Sequence, residues 1–223
     1  MDIQVLKKYR SKRNNVYKIR VKNLIEEEIA IMQTQDNHEG LKKDNVFIMK
    51  KYDSKNKYLR GVEYKNIKTL EDLSMPVPKI IYKTRDSLIL EYIQGELLVD
   101  LVEKQFLGDW IDEFALWMVE LHKIKNKSSS LLKMDVNLRN FIYDGDKVYG
   151  LDFESLGYGD PRTDLANICF FILTDRPSFT REKHLIMRHF LKSYERHSGE
   201  KLKDMGYFLL QSKKDAKIRR KKV

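Results

Sequence analysis

The 223-residue chain has one cysteine, Cys169. That excludes an intramolecular disulfide and a cysteine-based zinc cluster. The thiol sits in the apolar run "LANICFFIL" and reads as a small packed hydrophobe, not a nucleophile. Long apolar runs are also missing. None approaches the roughly 18 to 20 residues that span a bilayer, and the opening "MDIQVLKKYRSKR" lacks the apolar centre of a signal peptide. The expectation is a soluble, cytoplasmic protein with no transmembrane segment. Internal repeats and low-complexity linkers are absent. Glycine is scarce where it would matter: "YRSKRNN", the first polar turn, contains none.

With 42% hydrophobic residues, the chain has enough material for one large domain or two small lobes. The net charge of +10 is concentrated at the ends. Residues 1–22 carry eight Lys/Arg against one Asp, and residues 201–223 carry nine against two; the body between them is mildly acidic. Such ends are either solvated helix termini and a frayed tail, or surfaces for an anionic partner, nucleic acid or membrane.

The first 93 residues read as a small sheet with one helix. Gln4–Tyr9 and Val16–Val21 suit strands, and Val46–Tyr52 alternates so that Val46, Ile48 and Lys50 share a face. Residues 23–44 fit helix or strand equally. Lys57–Leu73 predicts a helix with Leu59, Val62, Ile67 and Leu70 on its stripe, ended by "MPVPK". Lys79–Lys83 and Ser87–Tyr92 form a strand pair turning at "TRD". The remainder is mainly helical: Leu97–Glu103, then Trp110–Ile124 with Phe114, Trp117, Met118 and Leu121 inward, then 165–173 and 179–196 with Ser178 as N-cap, and a further helix in the tail. His122 is expected in the core or at a helix end. The segment "YDGDKVYG" is a hairpin signal.

That hairpin lies inside "KMDVNLRNFIYDGDKVYGLDFE", residues 133–154. Asp135 and Asn140 precede one strand and Asp152 follows the other, so the fold-back brings three oxygen-bearing side chains toward one spot. Hard oxygen donors of this kind suit magnesium, which takes one or two carboxylates plus substrate phosphates. With Asn140 and Asp152 on the metal, Asp135 would be free to meet a substrate hydroxyl.

"DVNLRN" followed by "LDFE" resembles the catalytic loop and metal motif of the protein-kinase-like fold, in the style of the aminoglycoside phosphotransferase and choline kinase group. Other segments fall in that group's order. "FIMK" is similar to the strand whose lysine, here Lys50, grips ATP phosphates, and Glu63 matches its helix partner. "LILEYIQGE" resembles the hinge between lobes, and "GDPRTDLAN" the run after the metal motif. The resemblance covers roughly residues 5–195. It implies an α+β bilobal fold: a β-rich N-lobe with one helix over residues 1–93, a mainly helical C-lobe over 94–212, and a basic tail over 213–223. It implies ATP and Mg2+ as cofactors and a hydroxyl-bearing small molecule as acceptor. Lys50 and Glu63 would bind phosphate. Ile48, Leu90, Glu91 and Ile93 would hold adenine. Asp135 would be catalytic, and Asp164 would support the catalytic loop or cap its helix.

Three features depart from the pattern. The phosphate-covering loop lacks glycine, Lys133 stands where the group usually has histidine, and only 59 residues follow Asp164. Two other readings follow: a small atypical protein kinase or kinase-like ATPase of tRNA modification, and a nucleotide-binding pseudokinase acting as a binding module.

Overall fold

The computed structural model describes residues 2–9, 11, 14–22 and 45–221; segment 23–44 and most of the turn at 10–13 lie outside the described residues. The chain forms two compact units, Met1–Leu73 with Val77–Ile93, and Ser74–Pro76 with Gln94–Val223.

In the first unit, strands β1 (Asp2–Tyr9), β2 (Asn14–Lys22), β3 (Val46–Tyr52), β4 (Ile80–Lys83) and β5 (Ser87–Glu91) form an antiparallel sheet in the order β1-β2-β3-β5-β4. Alternation divides β3 between two environments. Phe47 and Met49 join Ile19, Val21 and Ile89 in an apolar cluster, while Ile48, Lys50 and Tyr52 occupy the other face. Register aligns Lys50 with Leu88 and Ile48 with Leu90. At the β4–β5 turn, Thr84 Oγ1 accepts the backbone N–H of Asp86 and of Ser87.

Helix α1 (Lys57–Asp72) buries Leu59, Glu63, Ile67 and Leu70, a stripe with steps of four, four and three. Val62, expected on that stripe, is exposed instead. The true face is centred one residue later, because a carboxylate holds the position that hydrophobicity alone assigns to valine.

The second unit follows the order β6 (Glu96–Leu97), α2 (Leu98–Glu103), α3 (Trp110–Lys123), β7 (Lys125–Asn126), β8 (Ser129–Leu132), β9 (Phe141–Tyr143), β10 (Val148–Gly150), β11 (Gly157–Gly159), α4 (Pro161–Thr174), α5 (Arg181–Ser198) and α6 (Met205–Lys221). Two three-stranded sheets, β10-β9-β6 and β11-β8-β7, bracket the loops of the sequence motif. The core is aromatic. Phe114 on α3 lies 4.7 Å from Phe141 and 5.1 Å from Phe190, ring centre to ring centre, and Trp117 meets Phe141 edge-on. A Cβ at Gly150 would collide with the Trp117 ring, so this strand end admits only glycine. Cys169 is fully buried, which pushes its thiol up to about 12 and keeps it unreactive.

Helix α5 starts later than the sequence suggests. Its N-cap is Thr180, whose hydroxyl accepts the N–H of Lys183 at 3.3 Å, and not Ser178. Phe179 adopts a left-handed φ of +58°, and the chain becomes helical only beyond it. Helix α6 packs on α4, with Ser212 and Ala216 buried. Arg162 of α4 donates to the Lys203 carbonyl and stacks its guanidinium 4.5 Å from the Phe208 ring centre. Among the described residues no helix is long and apolar enough to cross a membrane.

Candidate active site

In the first unit, the β3 alternation that sends Phe47 and Met49 into the apolar cluster turns Lys50 to the opposite face. There its ammonium donates to Glu63 Oε2 of α1 at 2.7 Å, with both side chains buried. Tyr52, two residues on and on the same face, donates its hydroxyl to the same carboxylate oxygen. Burial removes water from this pair, so protein groups must meet both charges, and this contact is one of them. Glu63 holds the lysine at a fixed height above the sheet face. Ile48 and Leu90 are neighbours across β3 and β5 and supply apolar surface there. The Glu91 amide already donates to the Lys79 carbonyl at 2.9 Å. That N–H is therefore committed within the sheet. Ile93 is buried at the end of this unit.

In the second unit, β8 runs into the loop 133–140 and β9–β10 returns the chain to 151–154. Val136, Leu138, Phe141 and Phe153 are almost fully buried, whereas Asp135 is exposed. The apolar residues are thus anchors, and Asp135 is held out by them. Asp135 Oδ1 accepts the Asn137 N–H at 3.3 Å, which orients the carboxylate. The Asn140 side chain donates through Nδ2 to the Asp135 carbonyl at 3.3 Å. Because Nδ2 is committed there, Oδ1 is the Asn140 atom that can face a cation. The Leu151 N–H donates to the Asn140 carbonyl at 2.8 Å, placing Asn140 beside the backbone that leads into Asp152. Asp152 itself adopts a left-handed φ of +55°, a strained geometry for a non-glycine residue. An amide oxygen and a carboxylate are hard donors, and the set fits magnesium.

Asp164 is fully buried in the first turn of α4. Its carboxylate accepts the backbone N–H of Lys133 at 2.7 Å and of Met134 at 3.3 Å, bracing the loop from beneath. The helix N-cap is a different residue, Asp160, which accepts the Arg162 N–H at 2.9 Å. The Arg162 guanidinium also grips Asp160, and this holds its carboxyl below the usual carboxylate range despite partial burial. His122 is a core residue with polar neighbours. Its Nδ1 lies 2.9 Å from the Tyr194 hydroxyl and its Nε2 3.5 Å from Asp164 Oδ2.

Two residues of this site are not picked out by the motifs. Tyr52 can be found from the same β3 alternation that selects Lys50. Lys133 reads as a departure from a pattern, yet it is completely buried, with its ammonium 2.5 Å from the Asp152 carbonyl.

No family model and no curated protein matches the chain. Solved structures do. A choline kinase from Cryptosporidium parvum superposes with a TM-score of 0.62 at 14% identity, over 93% of this chain and 77% of that one. The aminoglycoside phosphotransferase APH(3'')-Id from Streptomyces rimosus, in complex with ADP and streptomycin, gives 0.61 at 12% identity over 89% of each chain. A Plasmodium vivax ethanolamine kinase gives 0.55 at 13% identity, over all of this chain and 84% of that one. The chain therefore has the protein-kinase-like fold, a β-rich unit with one α-helix among its described residues and a mainly helical unit. At these identities the similarity is one of fold.

Proposed function

We propose that this chain is an ATP-dependent phosphotransferase that moves the γ-phosphoryl group of ATP to a hydroxyl of a neutral or anionic small molecule. The observation that carries the reading is the loop 133–140: its backbone is pinned by buried Asp164 while its one carboxylate, Asp135, stays exposed. The solved neighbours named as choline kinase, ethanolamine kinase and an ATP–streptomycin complex of an aminoglycoside phosphotransferase support the same class.

The reaction needs positioning and charge neutralisation more than covalent help. Lys50, held by Glu63, would bind the α- and β-phosphates. Ile48, Leu90 and Ile93 would enclose adenine, with the Glu91 carbonyl on its edge. Asn140 and Asp152 would hold magnesium, which when bound neutralises phosphate charge. Asp135 would orient the acceptor hydroxyl and take its proton as the oxygen bonds to the γ-phosphorus. The bond from that phosphorus to the β,γ-bridging oxygen breaks, and ADP leaves. A panel of hydroxyl acceptors with γ-labelled ATP tests this: label should move to an acceptor in a magnesium-dependent manner, and release of label only as inorganic phosphate across the panel counts against it.

One observation favours a second reading. Helix α6 exposes Lys213, Lys214 and Lys217 beside Tyr207, Leu210 and Ile218. A kinase-like ATPase or small protein kinase serving an anionic macromolecule would use such a face.

A further inference from the structure

We propose that Lys133 is a positioning residue of this site, a buried ammonium that clamps the loop carrying Asp135 to the loop carrying Asp152. The inference rests on the phosphotransferase reading, because it assigns a purpose to the spacing of those two aspartates.

Lys133 follows β8 with no exposed surface. Its ammonium donates to two backbone carbonyls, that of Asp152 at 2.5 Å and that of Asp135 at 3.4 Å, and lies 4.7 Å from the centre of the Phe153 ring. A buried cation is tolerated only where acceptors and a polarisable surface replace its water. An apolar side chain of similar length would fill the same space without that demand. These two bonds give the ammonium a positional part to play. They join the two loops across the gap between them.

The clamp also acts where the backbone resists. Met134 and Asp152 both adopt left-handed φ, +66° and +55°, although neither is glycine. Such geometry persists only when surrounding contacts over-determine it. Asp164 holds one side of Met134 through the N–H groups of Lys133 and Met134. Lys133 holds the other side through the Asp135 carbonyl, and fixes Asp152 through its own carbonyl. A flat ring at position 133 could present one N–H to one carbonyl. The tetrahedral ammonium reaches both at once. It thereby sets the distance between the acceptor-facing carboxylate and the residue assigned to the cation.

The test compares Lys133→Met, which fills the space without a donor, with Lys133→Gln, which keeps N–H donors without charge. Hydrogen exchange reads the clamp without any ligand. Lys133→Met should fold with an unchanged or higher urea midpoint, yet the Asn140 and Leu151 amides should exchange at least tenfold faster. The Leu131 amide, bonded to the Ile124 carbonyl, should be unaffected. Affinity for Mn2+ in the presence of ADP should fall at least tenfold in Lys133→Met, and Lys133→Gln, whose planar amide cannot span both carbonyls, should lose protection less but by more than threefold. Unchanged exchange at Asn140 and Leu151 in Lys133→Met overturns the clamp. Should that variant fail to fold, Lys133→Gln decides alone: a loss of protection beyond threefold at Asn140 and Leu151 sustains the clamp, and protection within threefold of the parent overturns it. A parent protein that binds no Mn2+–ADP removes the nucleotide reading, while the exchange result still judges the clamp.

Discussion

Asp164 accepts the backbone N–H of Lys133 at 2.7 Å, across 31 positions of sequence and with both residues fully buried. A second oxygen of the same carboxylate takes the Met134 N–H. Asp164→Ala would leave the buried Lys133 N–H and the partly buried Met134 N–H without this acceptor, an unsatisfied buried donor costing about 1–3 kcal/mol. The variant should lose about 3 kcal/mol of stability in urea unfolding, and Asp164→Asn, which keeps an oxygen, should lose less. A midpoint for the alanine variant equal to the parent's would remove Asp164 from its bracing role.

The two loop aspartates should separate under substitution. Asp152→Ala should abolish magnesium-dependent nucleotide binding, as it deletes a proposed ligand of the cation. Asp135→Asn should bind ATP normally and lose about two orders of magnitude or more in transfer rate, the scale of a missing general base. Calorimetry with Mg–ATP and a single-turnover assay distinguish them. Loss of ATP affinity with an intact rate in Asp135→Asn would mean that the roles are exchanged.

Acid stability should report the start of α4. The Arg162 guanidinium holds the Asp160 carboxyl below the usual carboxylate range, against the opposing effect of burial. A group with a depressed folded pKa stabilises fully above its unfolded value, about 3.9, and that contribution is lost as pH falls through the folded value. Asp160→Asn keeps the capping oxygen and removes the charge. Below about pH 4, the parent should lose stability more steeply than Asp160→Asn. Parallel pH curves for the two proteins would show that the pairing contributes nothing.

How far each element is legible in the sequence depends on the kind of information it carries. Strand β3 is readable to the residue, because period-two alternation of Phe47 and Met49 against Ile48 and Lys50 is a local signal. Helix α3 is readable from its aromatic stripe. The α1 face is displaced by one position from the apolar pattern, since a buried carboxylate is invisible to hydrophobicity. The α5 start is hidden because a left-handed Phe179 has no sequence signature, unlike a glycine. Lys133 stands out in the sequence only as an oddity. Its meaning lies in a contact with the Asp152 carbonyl 19 residues away, which depends on how the β9–β10 hairpin folds back.

The basic tail offers a test independent of the site. Deleting residues 213–223 removes the exposed lysines at the end of α6 but none of the residues assigned to ATP. ATP binding should persist. If the α6 face meets nucleic acid, the full chain should bind RNA with an affinity that falls steeply with salt, and the deletion should flatten that slope. Equal, salt-insensitive binding by both proteins would return the tail to a solvated helix end.

The acceptor can be approached through charge. Aminoglycosides are polycations and call for a lining of carboxylates. The candidate carboxylates of the helical half are Glu154, Asp160 and Asp175: Glu154 is half-buried, Asp160 is engaged by Arg162, and Asp175 Oδ1 accepts the Arg176 backbone N–H. The region after Asp164 is basic in sequence, and the structure narrows which charges count. Lys183 is buried and donates to the Asp175 carbonyl, and Arg196 is matched by Asp112 at 2.5 Å. Arg176, Arg181, Arg188, Lys192, Lys201 and Lys203 are exposed, against exposed Glu182 and Glu200 and half-buried Glu195. A surface of that sign repels a polycation and tolerates a neutral or anionic acceptor. Kanamycin-type compounds should therefore give no phosphorylation above the ATPase background, whereas neutral polyols and phosphorylated sugars are the acceptors to try first. Saturable transfer to any aminoglycoside, with a Michaelis constant in the range of about 1 μM to 1 mM usual for good substrates, would overturn the charge argument and leave the phosphotransferase reading standing.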